Sequence, residues 1–112
     1  MKECIFCKII QGEIPANIVY ESDEALAFDD INPMAPVHVV VVPKAHVATL
    51  MDLSDGGMIQ GLIAAVQEVA KIKGIGGKGF RTVINCNEDG GQIIFHLHVH
   101  VLGGRKLSDD MG

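Results

Sequence analysis

Of the five histidines in this 112-residue chain, three stand at alternate positions in the stretch His96-Leu97-His98-Val99-His100-Val101-Leu102. In an extended chain successive side chains point to opposite faces, so this segment presents imidazoles on one face and apolar groups on the other. A lone histidine there would read as a hydrogen-bonded core residue. Grouped imidazoles carry a cost, because each protonation disfavours the next and every ring needs partners for both of its nitrogens. Neutral imidazole nitrogens held in a fixed direction serve two chemistries, metal ligation and phosphorus chemistry. The preceding residues Asn85-Cys86-Asn87-Glu88-Asp89-Gly90-Gly91-Gln92 end in a polar turn with adjacent glycines, which lets the backbone approach a ligand and aim amide N–H groups at an anion. That favours a phosphate over the imidazoles. Cys4 and Cys7 are three residues apart and so share a face of any helix they occupy, within reach of one ion. C-x-x-C alone is equally open to redox, metal and trivial explanations, and Cys86 reads as a buried apolar thiol.

These groups need rigid elements to hold them. Residues 4–10 read as a short helix, ended by Gly12 with Pro15 beyond. Residues 18–21 and 25–29 read as strands joined by the polar turn Ser22-Asp23-Glu24, and residues 32–36 as a loop, since Pro33 and Pro36 deny the backbone regular pairing. Residues 37–42 form a β-branched run in which His38 is the one polar member; they are expected as a central strand buried on both faces. The long helix is expected from about 55 to 73, with Ile59, Leu62, Ile63, Val66, Val69 and Ala70 at spacings of three and four, Ser54 as N-cap and Gly74 as stop. Strands over 80–86 and 94–102 complete the pattern. Hairpin-like connections with one long helix predict an α+β fold with an antiparallel sheet, in one domain over residues 1–112.

Hydrophobic side chains make up 48% of the chain, enough for one small core. A formal net charge of −5 leaves no basic footprint for duplex nucleic acid. A mononucleotide is still allowed, because backbone amides can hold its phosphate. Glu3, Lys8 and Glu13 interrupt the apolar residues of the N-terminus, unlike a signal peptide, and the runs 39–43 and 62–66 are too short to cross a bilayer. A cytoplasmic location without membrane association is expected. The three cysteines then read as thiols or metal ligands rather than disulfides.

The strand His96-Leu97-His98-Val99-His100 followed by two apolar residues resembles the motif of the histidine triad (HIT) superfamily. Further segments resemble that family in the same order: Phe6-Cys7-Lys8-Ile9-Ile10 with Glu13-Ile14-Pro15-Ala16, Ala27-Phe28-Asp29-Asp30-Ile31-Asn32-Pro33, Ala35-Pro36-Val37-His38 and Val42-Pro43-Lys44-Ala45-His46. The resemblance runs from about residue 4 to 105. Gly90-Gly91-Gln92 and Leu102-Gly103-Gly104-Arg105 bring it nearest to the small purine nucleoside phosphoramidases. It implies a five-stranded antiparallel sheet with one long helix and a short N-terminal helix, and a homodimer whose two sheets join.

The chemistry implied by the resemblance is attack by His98 on the α-phosphorus of a nucleoside phosphoramidate or related nucleotide, giving a covalent nucleotidyl-histidine that water clears. For this, His98 must be held in one tautomer, and the main chain of His96 is the natural acceptor. His100 would face the phosphate oxygens with backbone amides around Gly91, Gln92 and Ile93. His38 would orient the cluster from behind. By resemblance Asp30 binds ribose hydroxyls, Asn85 lies near the phosphate, and Phe6, Ile9, Ile14, Phe28 and Ile31 form the purine pocket. Taken as ordinary residues, Asp30 and Asn85 would be turn residues and the rest core. Other HIT-like proteins hold a structural zinc with residues matching Cys4, Cys7, His46 and His96, a Cys₂His₂ set suited to tetrahedral zinc and outside the chemistry. Close phosphoramidase relatives lack the cysteines and keep the fold. Ile93 stands where those enzymes usually place a serine, and the tail 106–112 lacks their tryptophan and proline. Two other readings compete: a zinc-bearing purine nucleotide sensor with little catalysis, and a metalloenzyme using all three triad histidines as ligands.

Overall fold

The computed structural model describes residues 4–110. Glu3, used in reading the N-terminus, and Met111 and Gly112 of the tail lie outside the described residues. Two helices, α1 (Ile5–Ile10) and α2 (Gly56–Ile72), a 3-10 turn at Leu50–Asp52, and five strands make up the fold: β1 (Ile18–Glu21), β2 (Ala25–Asp29), β3 (Val37–Pro43), β4 (Arg81–Val83) and β5 (Val99–Gly103). The strands pair antiparallel in the order β1-β2-β3-β5-β4, so β3 is central. The fold is α+β, as the pattern of elements predicts.

Alternation along the strands divides the interior in two. Ala25, Ala27, Val39, Val41, Val99 and Val101 pack with Leu62, Ala65, Val66, Val69 and Ala70 of α2. On the other face Leu26, Phe28, Val40 and Val42 pack with Phe6 of α1. The valine run of β3 is therefore buried on both sides. Gly61 lets α2 lie close to the β1–β2 turn, since a Cβ there would meet the Glu24 Cβ at 3.1 Å.

Several expected boundaries move. Asp55, not Ser54, caps α2, its carboxylate accepting from the Gly57 N–H at 2.8 Å. Ile59 and Ile63, expected on the buried stripe, are 47% and 54% exposed, because the stripe facing the sheet runs through Leu62, Ala65, Val66 and Val69. The strand expected over 80–86 is Arg81–Val83, and the one expected over 94–102 is Val99–Gly103. The β4–β5 ladder ends at Val83–His100, and beyond it both segments serve loops; residues 94–96 bend, and Leu97 N–H donates to the Val47 carbonyl at 2.6 Å. Cys86, just past β4, is half-buried rather than buried.

Candidate active site

Leu97, Val99 and Val101 enter the core under α2, which turns the alternate imidazoles to the α1 side. There they serve two clusters. His98 and His100 line a cleft of about 520 Å³, while His96, fully buried, faces Cys4, Cys7 and His46.

Hydrogen bonds assign the protons in the cleft. His98 Nδ1 lies 2.8 Å from the His96 carbonyl oxygen, so Nδ1–H donates and the lone pair sits on Nε2. His38 Nδ1 accepts from the Met34 N–H at 3.0 Å, which places the His38 proton on Nε2. That Nε2–H donates to His100 Nδ1 at 2.9 Å, so the His100 proton is on Nε2. The result is an unprotonated nitrogen on His98 beside a donor on His100, their rings 4.9 Å apart.

Burial lowers the pKa of His38, with Asp30 opposing. Burial, reinforced by the nearby His98 and His38 rings and opposed by Asp30, holds His100 at about 4. Both rings are thus neutral near pH 7, as the tautomer chain requires.

Phe6, Ile9, Ile14, Phe28, Asp30, Ile31, Asn85, Gly91 and Ile93 all line the cleft with His98 and His100. Phe6 sits edge-on to Phe28 and to His98, at centroid distances of 5.6 and 5.0 Å. Asp30 accepts from the Asn32 N–H at 2.8 Å through Oδ1, and its Oδ2 lies 3.4 Å from His38 Nε2. Gln92 departs from the expectation. It is buried, its side chain donates to the Ala48 and Ile94 carbonyls and accepts from Asn87 N–H, and its own amide donates to the Asn87 carbonyl. Gln92 therefore braces the loop instead of meeting a ligand. The Gly91 amide is also spent, on the Glu88 carbonyl, whereas the Ile93 amide has no such bond among the described residues.

Ile5, Pro15, Ala16, Val40 and Ile94 also line the cleft, and the sequence reading did not single them out for it. Val40 was within reach of that reading, because it lies two residues after His38 and shares its face of β3. Ile5 and Ile94 were not, since neither belongs to a strand register.

The second cluster fits a metal. Donor atoms of Cys4, Cys7, His46 and His96 lie within 4.8 Å of one another. His96 Nδ1 is 3.3 Å from Cys4 Sγ, 3.6 Å from Cys7 Sγ and 3.1 Å from His46 Nδ1; Cys7 Sγ is 3.3 Å from His46 Nδ1. Tetrahedral zinc with sulfur and nitrogen ligands has donor–donor edges of about 3.3–3.8 Å. His96 Nε2–H donates to the Pro43 carbonyl at 2.8 Å, which leaves the Nδ1 lone pair toward the thiols, as in a metal-bound histidine whose far nitrogen is held by a carbonyl. Burial, with the neighbouring Cys4, raises the Cys7 pKa, a cost that a cation would offset.

All three triad histidines cannot ligate one ion, because His96 and His98 each commit one nitrogen to a carbonyl and aim the other at a different cluster. Asp30, His38 and His100 also cluster, but His38 has Nε2 protonated while Nδ1 holds the Met34 amide, so it offers a metal no lone pair.

An HIT domain profile matches residues 11–107. The chain is 46% identical over 109 residues to an uncharacterised HIT-like protein of Synechococcus elongatus, covering 96% of this chain and 95% of the relative. It is 41% identical over 108 residues to the purine nucleoside phosphoramidase of Escherichia coli, covering 95% and 91%. Among solved structures, an HIT family hydrolase from Legionella pneumophila superposes with a TM-score of 0.94 at 42% identity, covering 98% of this chain and 100% of that one. A match over nearly the whole length, in sequence and in backbone, places this chain in the HIT family.

Proposed function

We propose that this protein is a hydrolase that cleaves purine nucleoside phosphoramidates, or related nucleotidyl conjugates, at the α-phosphorus through a covalent nucleotidyl-histidine at His98. The observation that carries this is the proton assignment: His98 Nδ1–H is tied to the His96 carbonyl, which frees Nε2 for attack. The purine would lie among Phe6, Ile9, Phe28 and Ile31, and Asp30 would take the ribose hydroxyls. His98 Nε2 attacks phosphorus, the P–N bond to the departing amine breaks, and the amine leaves with a proton taken from solvent, which the water of the second step gives back. His100 Nε2–H and the Ile93 amide donate to the phosphate oxygens as charge builds. Water then displaces His98 and releases the mononucleotide. Of the relatives, the Escherichia coli protein carries the phosphoramidase name at 41% identity.

Zinc at Cys4, Cys7, His46 and His96 would be structural, closing a four-ligand site with no open position for substrate. Its role would be to join the N-terminal helix to the segment carrying His98. The homodimer would use the free edge of β4, flanked by the exposed Phe80 and Ile84, and the exposed Ile59 and Ile63 one turn apart on α2. A cytoplasmic enzyme acting on free nucleotides fits the acidic chain, and among the described residues no helix is long and apolar enough to cross a membrane.

The sensor reading is favoured by one observation, Ile93, an apolar side chain 87% exposed at the cleft in place of a hydroxyl. One experiment separates the two: hydrolysis of adenosine 5′-phosphoramidate by wild type and His98→Ala, with intact-mass detection of an AMP adduct. We expect turnover and adduct in wild type, with a loss on the order of a thousandfold or more in the variant. AMP binding without turnover or adduct in wild type would establish the sensor instead.

A further inference from the structure

We infer that metal binding at the Cys4/Cys7/His46/His96 cluster and nucleotide binding in the cleft are thermodynamically coupled, with α1 and its residue Phe6 as the link. The inference rests on the metal and nucleotide readings above and goes beyond both, since a structural metal need not affect ligand affinity.

A six-residue helix such as α1 has no stability of its own, because nucleation costs more than so few hydrogen bonds return. Tertiary contacts must therefore fix its position. Cys4 at its N-cap and Cys7 in its first turns point into the cluster with His46 and His96. Phe6, between them in sequence, points elsewhere: it lies edge-on to His98 at 5.0 Å, to His96 at 5.9 Å and to Phe28 at 5.6 Å. Ile5, Phe6 and Ile9 together form one wall of the cleft. The same short element is thus both half of a metal knuckle and a side of the purine pocket.

His96 makes a second connection. Its ring is held between the Pro43 carbonyl and the thiol cluster, while its own carbonyl holds His98 Nδ1 at 2.8 Å. His96 is in this sense a positioning residue for His98.

Without a metal, α1 is held to His96 and His46 by thiol–imidazole contacts of 3.3–3.6 Å, which share one His96 lone pair, and by the edge-on packing of Phe6 on His96. A metal held by Cys4, Cys7, His46 and His96 would replace the thiol–imidazole contacts with coordinate bonds and narrow the positions open to the wall. A nucleotide packed against Phe6 in the cleft would narrow the same positions. Each ligand then binds a wall the other has already ordered, so the coupling is positive and must be reciprocal.

The test uses the full chain with one equivalent of zinc and after metal removal. AMP affinity is measured by calorimetry in both forms, and zinc affinity by chelator competition with and without saturating AMP. We expect zinc to tighten AMP binding about tenfold, and AMP to tighten zinc binding by the same factor. Phe6→Leu keeps the thiols but removes the ring. In that variant zinc still binds, and its effect on AMP affinity falls from about tenfold to about threefold, the remainder carried by Ile5, Ile9 and His96. Zinc bound in wild type with AMP affinity unchanged would overturn the coupling while leaving the metal reading standing. Full coupling persisting in Phe6→Leu would overturn the route through Phe6. Absence of stoichiometric zinc, or of AMP binding in every form, would sink the metal or the nucleotide reading respectively, and the coupling with it. Far-UV circular dichroism of the metal-free protein completes the test, since loss of the native signal would replace local coupling by whole-chain folding linkage.

Discussion

A neutral imidazole has one proton for two nitrogens, so a partner at one nitrogen dictates the role of the other. In the cleft that rule runs from the Met34 amide through His38 to His100, and from the His96 carbonyl to His98. Replacing His38 with Phe keeps bulk but frees the His100 proton to move to Nδ1. We expect kcat on the phosphoramidate to fall about tenfold to a hundredfold, the worth of one buried hydrogen bond, with AMP affinity within about threefold. An unchanged kcat would remove His38 from the chain. The same rings make stability depend on pH. His38 and His100 have folded pKa values below the ordinary imidazole value of 6.5, His100 at about 4. In that window the unfolded chain binds more protons than the folded one, so the contribution is complete above about 6.5 and is lost as pH falls toward 4. Urea unfolding between pH 7.5 and 4.5 should show a flat upper limb and a decline below about 6.5. A constant unfolding free energy across that range would contradict the burial of these groups.

The turn at residues 88–91 shows what one backbone approach demands of an element. A Cβ on Gly90 would lie 2.6 Å from the Cys86 carbonyl oxygen and 2.9 Å from its nitrogen, and neither backbone atom can swing aside. Gly91 follows with φ of 82°, a left-handed conformation in which side chains are strained. The adjacent glycines are therefore explained first by chain packing, and a ligand is a second beneficiary. Asn85 and Ile93 flank the turn and line the cleft, so its collapse reaches the site. Gly90→Ala should cost about 1–3 kcal/mol of stability and weaken AMP binding. Gly77→Ala, with nothing within 4 Å of its Cβ, is the control and should change neither. Equal behaviour of the two variants in urea titration and calorimetry would refute the steric account.

At the scale of the whole molecule, the sheet is sandwiched unequally, by the 17-residue α2 on one face and the six-residue α1 with the cleft on the other. The α2 side has a continuous apolar core. The α1 side gives up part of its cover to the cleft and would regain hold from the metal knuckle. Stripping metal should therefore lower Tm by about 4 °C or more, since roughly 1 kcal/mol moves Tm by that much in a domain of this size. No change of Tm on stripping a stoichiometrically bound metal would show that α1 is held without it. The proposed dimer is tested on the same scale. Sedimentation equilibrium should give twice the chain mass, and Ile63→Asp, which puts a charge on an exposed apolar position of α2, should shift the protein toward monomer.

What the sequence determined by itself was periodicity and local chemistry. The alternation of His96, His98 and His100 with Leu97, Val99 and Val101, and the unbroken valines of β3, follow from side-chain direction along an extended chain. Burial of β3 on both faces, the α+β class and the sides to which the imidazoles turn were legible for that reason. Distances between segments remote in the chain were not. The family resemblance groups His96 with Cys4, Cys7 and His46, but the residues alone do not, and it is the tertiary structure that brings the ring to Cys4 and Cys7, some ninety residues away in sequence. It alone shows that Gln92 is spent on Ala48, Asn87 and Ile94, and that Ile59 and Ile63 turn away from the sheet. Helical spacing narrows an apolar stripe to a broad arc, and the packing partner decides which half of that arc is covered. The His98 tautomer was legible, since its acceptor is the carbonyl two residues back, but that of His100 belongs to the tertiary structure, because its partner His38 lies 62 residues away in sequence.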